Sequence, residues 1–204
     1  KTIGAYGSKL NQTPNIDRIA DKGIVFDNSF CANSICQPSR ACVLTGKHSH
    51  KNGLLYNGSK WDGTQKTLPR LLGDAGYKTA LIGKWHMHPN PSDDNFDYWT
   101  VLSGHGGQGS YYNPHFAEKG KDEIQHFHGF TTDIIADKSI SWLKENSDGD
   151  QPFLLMMQFK APHVPRQPHP RYANLYKDQD IPEPATLHDD YSTREPYASK
   201  AWMK

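Results

Sequence analysis

Six residues can do chemistry together if the fold brings them to one place: Cys36, Arg40, Lys84, His86, Lys160 and His163. Arg40, Lys84 and Lys160 supply cations, and the two histidines supply hydrogen bonds. That combination binds a tetrahedral oxyanion such as sulfate or phosphate. Pro38 suits the start of a helix and Gly46 its end. The N–H groups and positive end of such a helix would add to anion binding, and a nucleophile at Cys36 would face the anion. Lys160 reads first as a surface or strand-end lysine and only second as a reactive one.

The elements needed to position these residues follow from the apolar pattern. Thr13-Pro14 predicts a helix start, with Ile16, Ile19 and Ala20 on one face and Gly23 as its stop. "GIVFDNSF" predicts a strand, then a loop leads to the Cys36 helix. Thr67 to Gly76 predicts a short helix, and Thr79 to Ile82 a buried strand running into Lys84, His86 and His88. Pro89 to Lys121 is rich in Gly, Asn, Pro and aromatics without periodicity, and reads as a long functional loop. Asp133 to Asn146 predicts an amphipathic helix with Ile134, Ile140, Trp142 and Leu143 inward. "PFLLMMQFKAPH" predicts an apolar strand ending near Lys160 and His163, and Pro165 to Pro184 reads as irregular. Alternating helices and apolar strands predict an α/β fold with a mostly parallel sheet flanked by helices. Ligands in such sheets sit beyond the carboxyl ends of the strands, where the clusters at 36–40, 84–88 and 160–163 fall.

Bulk properties exclude several classes. In 204 residues, 23 Lys and Arg against 22 Asp and Glu leave a formal charge of +1, without the basic excess of a nucleic-acid binder. No run approaches the length of a membrane helix. The 3 cysteines, Cys31, Cys36 and Cys42, make neither a disulfide framework nor a C-x-x-C zinc spacing. Cys31 and Cys42 read as buried small apolar residues. The pairs His48/His50, His86/His88 and His126/His128 could chelate zinc, but spacing indicates no third ligand. Ile3 and Ala5 read as the tail of an element begun upstream, and the last run, from Glu195, closes no element, so the chain reads as an internal part of a longer domain.

The run Cys36-Gln37-Pro38-Ser39-Arg40, continued by Leu44-Thr45-Gly46, resembles the signature C-x-P-S-R-x-x-x-L-T-G of the type I sulfatases, within the alkaline phosphatase superfamily. Gly83-Lys84-Trp85-His86, Ala161-Pro162-His163 and the early "TPNIDRIADKGIVFDNSF" match in order. The loops "DYWTVLSGHGGQGSYYNPHF" and "LYKDQDIPEPATLHDDYSTR" are similar to those of glycan-degrading members, glucosamine-6-sulfatases among them. The resemblance implies that Cys36 is converted to formylglycine, whose hydrate attacks sulfur with one hydroxyl and expels sulfate through the second. It implies that Arg40 holds the hydrate, Lys84 binds sulfate, His86 acts as base, and His163 binds sulfate near the leaving oxygen. His48 is expected to line the substrate pocket or face solvent.

The resemblance further implies one calcium ion per site, with Cys36 as formylglycine among its ligands. The family's Asp-Asp pair, its Asp-Asn pair and a second active-site lysine find no counterpart here. Residues 1–204 are therefore expected to be part of a sulfatase catalytic domain, without the strand bearing the Asp pair and without the C-terminal part, and inactive alone. The expected partners are a sulfated saccharide and a formylglycine-generating or radical maturase enzyme. The expected location is periplasmic or extracellular, or lysosomal in a eukaryote. Two rivals stand beside this: a formylglycine-dependent phosphonate or phosphodiester hydrolase, and a non-catalytic glycan-binding relative.

Overall fold

A computed structural model describes residues 2–196 and residue 200. The reading of the chain's last run therefore lies mostly outside the described residues. The chain divides into two compact units, Lys1–Asp27 with Pro170–Lys204, and Asn28–His169.

In the first unit, helix α1 spans Pro14–Lys22 with Pro14 in its first turn, as the Thr13-Pro14 pair predicts. Thr13 does not cap the helix N–H groups. Its hydroxyl donates to Asp17 Oδ1 at 2.9 Å and accepts from the Gly4 N–H at 2.8 Å. Asp17 also accepts from the Ala5 N–H at 2.8 Å, so one carboxylate ties the short turn Gly4–Tyr6 to the helix.

The second unit holds helices α2 (Cys36–Thr45), α3 (Ser49–Asn52), α4 (Leu68–Asp74) and α5 (Thr131–Asn146). Its strands are β1 (Lys78–Gly83), β2 (Tyr98–Ser103), β3 (His115–Glu118), β4 (Gln125–His126) and β5 (Phe153–Gln158). They form one sheet in the order β4-β3-β2-β1-β5. β1 pairs parallel with β2 and β5, while the β2–β3 and β3–β4 pairs are antiparallel. The expected α/β sheet is thus mixed, with parallel pairs on the β5 side and antiparallel pairs on the β4 side.

β1 is buried along nearly its whole length because both of its faces are covered. On one side Leu81 packs with Ala41 and Leu44 of α2, Leu54, Trp85 and Phe96. On the other, Ala80 and Ile82 pack with Leu102, Phe116, and Ile135 and Trp142 of α5. α5 turns Ile135 and Trp142 inward, whereas Ile140, expected in the core, is 50% exposed.

Two expected elements are also not found as predicted. The stretch from Pro89 to Lys121 is not one loop, because β2 and β3 lie within it. β2 is rich in aromatic and β-branched residues but is covered on both faces, so it lacks the alternation that marks a half-exposed strand. "GIVFDNSF" is not a strand among the described residues. Ile24, Phe26 and Phe30 are 76%, 65% and 90% exposed, and no neighbouring strand bonds to them. Apolar composition without a pairing edge does not make a strand.

Candidate active site

α2 begins at Cys36, two residues before the proline that signals it, because the Ile35 carbonyl already accepts from the Ser39 N–H at 2.8 Å. Pro38 has no N–H, and the Gln37 N–H donates to Asn57 Oδ1 at 3.0 Å. The first turn therefore offers few N–H groups to a ligand, and the side chains must carry the positive charge. Cys36 and Arg40 are four residues apart, one turn along the same helical face.

The C-terminal end of β1 places the next pair. Gly83 has φ +113, and a Cβ there would lie 2.0 Å from the Gln158 carbonyl oxygen, so only glycine lets β1 and β5 meet at this point. The chain leaves the strand through Lys84, Trp85 and His86. Trp85 is buried and packs edge-on against Trp61 and Phe96, with ring centroids 6.4 Å apart in each case. With that anchor between them, Lys84 and His86 are held buried. His86 takes a left-handed backbone, φ 54, with the Gly107 backbone close against it.

These segments are joined through Arg40. Its Nη1 donates to the Lys84 carbonyl at 2.6 Å and to Gln158 Oε1, at the end of β5. Lys84 Nζ donates to Gln108 Oε1 at 3.1 Å. Past β5, Lys160 Nζ lies 5.3 Å from the Tyr111 ring centroid, and the Tyr111 hydroxyl donates to the His163 carbonyl at 2.5 Å. Gln108, Tyr111, Lys160 and His163 share the wall of a cavity of about 390 Å³.

The electrostatics show how closely the groups converge. Burial lowers Arg40 to about 10, with the electrostatic influence of Cys36 acting in the opposite direction. Burial and then the Arg40 charge lower Lys84 to about 8, with Lys160 adding to the effect. Burial, followed by Lys84, Arg40, His163 and Lys160, lowers His86 to about 4. Its buried Nδ1 has no hydrogen-bond partner among the described residues. Burial lowers Lys160 as well. A concentration of positive charge without a carboxylate is a site prepared for an anion.

Cys36, Arg40, Lys84, His86 and His163 therefore come together, and Lys160 joins them rather than serving as a plain strand end. His48 stands apart: it is exposed at the start of α3, stacked on His50 with centroids 5.9 Å apart, and absent from the charges that act on Lys84 or His86. Cys31, expected to be buried, is exposed, and Cys42 is half-buried against Ser49 and Asn52. Sequence reasoning missed Gln108, Tyr111 and Gln158. The last lies at a parallel strand's carboxyl end, the position that marks ligand sites in such sheets.

Calcium is a separate matter. Among the described residues no group of three or more His, Cys, Asp or Glu can hold a metal ion, and the charges acting on Arg40, Lys84 and His86 include no carboxylate. This cationic donor set does not by itself fit calcium.

A fold with its anion site at the carboxyl ends of parallel strands and a cysteine leading a helix defines a class. A model of the sulfatase family matches residues 1–199, and the chain belongs to that family. It is 49% identical over 194 residues to the N-acetylglucosamine-6-O-sulfatase of Bacteroides thetaiotaomicron, covering 95% of this chain and 34% of that protein. The chain thus spans about a third of the length of that curated relative. A structure solved in complex with its substrate D-glucosamine-2-N,6-O-disulfate superposes with a TM-score of 0.87 at 49% identity, covering 95% of this chain and 38% of that one. The phosphonate monoester hydrolase of Agrobacterium radiobacter, 18% identical with a TM-score of 0.62 over 89% of this chain and 42% of its own, shares the fold.

Proposed function

We propose that the protein hydrolyses sulfate esters of a sulfated glycan, with glucosamine 6-sulfate units as the favoured substrate. Residues 1–204 would form part of its catalytic domain. The observation that carries this is the cluster of Arg40, Lys84 and Lys160 around Cys36, with no carboxylate among the described residues to neutralise it. The likeness to an N-acetylglucosamine-6-O-sulfatase supports the choice of sugar.

In this proposal Cys36 is the precursor of formylglycine, which as its hydrate supplies one hydroxyl to attack sulfur and another to release sulfate. Residue 36 is half-buried at the head of α2, with the Arg40 charge beside it, and that position suits such a group. Arg40 holds the side chain at 36, and the Lys84 ammonium binds a sulfate oxygen. His86, neutral and with an unpartnered Nδ1, takes the proton of the second hydroxyl. His163 Nδ1 lies 2.5 Å from the Val164 carbonyl, which can only accept, so Nδ1 carries a proton. Its Nε2 can then protonate the leaving oxygen only from the imidazolium. His48, exposed on α3, would face the sugar rather than the sulfate.

A calcium ion in the full-length protein would need carboxylates from beyond the described residues. A maturase acting on Cys36 and a periplasmic, extracellular or lysosomal location complete the proposal. No helix among the described residues is long and apolar enough to cross a membrane.

The test uses the full-length protein, expressed with a formylglycine-generating enzyme. Mass spectrometry of the tryptic peptide from Gly23 to Arg40 is expected to show the aldehyde at position 36. Sulfate release from glucosamine 6-sulfate is expected to exceed phosphate release from the 6-phosphate. An unmodified thiol alongside a fully converted control substrate, or a preference for the phosphate ester, overturns the proposal.

A further inference from the structure

Arg40 is half-buried and Lys84 buried, yet neither is held by a carboxylate among the described residues. Cations taken out of water usually sit against carboxylates, since burial without compensation is costly. Here the acceptors are the Lys84 carbonyl and Gln158 Oε1 for Arg40, and Gln108 Oε1 for Lys84. All are uncharged.

We propose that Gln158 and Gln108 are positioning residues of the anion site, neutral side-chain amides that fix Arg40 and Lys84 while leaving their charge uncancelled. The inference rests on the proposed function, because it takes sulfate as the anion that needs the charge. A carboxylate in either place would accept the same hydrogen bond and hold the cation in the same position. It would also pair with it, so an incoming dianion would have to displace a charge already bound. The amide gives the geometry without the competition. Each amide also keeps an NH2 group, and that of Gln108 belongs to a side chain lining the cavity shared by Lys160 and His163.

Gln158 has a second tie. Its carbonyl accepts from the Lys84 N–H at 2.7 Å while its side chain accepts from Arg40, so one residue sets the spacing of both cation-bearing segments. Arg40 and Lys84 lie 44 positions apart in sequence and belong to different elements. Gln158, from a third, closes the arrangement.

Isosteric and apolar replacements separate this role from a merely structural one. Gln158→Glu keeps shape and acceptor but adds the opposing charge. Gln158→Met keeps neutrality but loses the acceptor. Both are made in the full-length protein and titrated with inorganic sulfate by calorimetry, with melting temperatures recorded. Gln158→Glu is expected to bind sulfate at least about tenfold more weakly with an unchanged or raised melting temperature. Gln158→Met, which frees Arg40 without adding a charge, is expected to weaken sulfate binding only about three- to fivefold and to melt earlier.

The reverse order, with Met damaging sulfate binding more than Glu, means that the hydrogen bond and not the neutrality of the amide matters, and overturns the inference. Should Gln158→Glu fail to fold, Gln108→Glu against Gln108→Met applies the same comparison to Lys84 in a loop. Wild-type protein that neither binds sulfate nor releases it from glucosamine 6-sulfate overturns the proposed function and this inference together. Wild type that does both, with Glu variants indistinguishable from it, overturns this inference alone.

Discussion

Burial and the neighbouring Arg40 charge hold the Lys84 ammonium at about 8, so its proton is within reach of ordinary assay conditions. An anion needs that proton in place, and binding raises the lysine's affinity for it. Sulfate affinity of the full-length protein is expected to be flat below about pH 8 and to fall as the pH rises above it. Calorimetric titrations from pH 6 to pH 10 check this, and Lys84→Met should abolish the fall along with most of the binding. His86 acts in the opposite range. Its folded value of about 4 lies below the ordinary 6.5, so between these the unfolded chain binds more protons and stability rises with pH. The contribution is complete above about 6.5, is lost as pH falls towards 4, and amounts to about 3 kcal/mol at most. Urea midpoints at pH 7 and pH 4.5 are expected to lie closer together in His86→Gln than in wild type.

At the scale of elements, the junction of β1 and β5 depends on one absent side chain. Gly83→Ala places a methyl 2.0 Å from the Gln158 carbonyl oxygen on a left-handed backbone. Thermal melting is expected to show a loss of about 2–4 kcal/mol, with sulfate binding reduced because Lys84 and Arg40 lose their common reference. Gly73→Ala on α4 meets nothing within 4 Å and is expected to stabilise by about 0.5–1 kcal/mol. Here the limits of sequence reading show physically. Cys36 and Arg40 on one helix, and Lys84 and His86 after a buried strand, were legible because charge, proline and glycine leave local signals. β2 was not, since so short a strand is hidden inside a run rich in Gly, Asn and Pro. The apolar run from Gly23 to Phe30 misled because pairing depends on neighbours that lie elsewhere in the chain. Gln108 and Gln158 escaped because an amide has no formal charge, and its value appears only once the partner cation is known.

At the scale of the molecule, β5 closes one side of the sheet with a row of backbone groups unpaired among the described residues. The strand is apolar on both faces, and Phe153 and Met157 are 39% and 45% exposed. An apolar edge of this kind templates further pairing. A protein of residues 1–204 alone is expected to self-associate in a concentration-dependent way, read by light scattering, and Met157→Lys should reduce it. Scattering that stays monomeric at all concentrations would count against β5 as the adhesive edge. The parallel-sheet architecture itself was readable from alternating helices and apolar strands. Its antiparallel flank was not, because β3 and β4 are short and lie among glycines.

The placement of Trp85 between Lys84 and His86 has a consequence for how the protein ages under heat. The indole packs against Trp61 and Phe96, so a loosening of these three rings would reach both neighbours at once. Turnover in the intact protein would then decline at temperatures where the fold still looks whole by circular dichroism. Its working life would be set by the stiffness of three rings rather than by the point at which the chain unfolds.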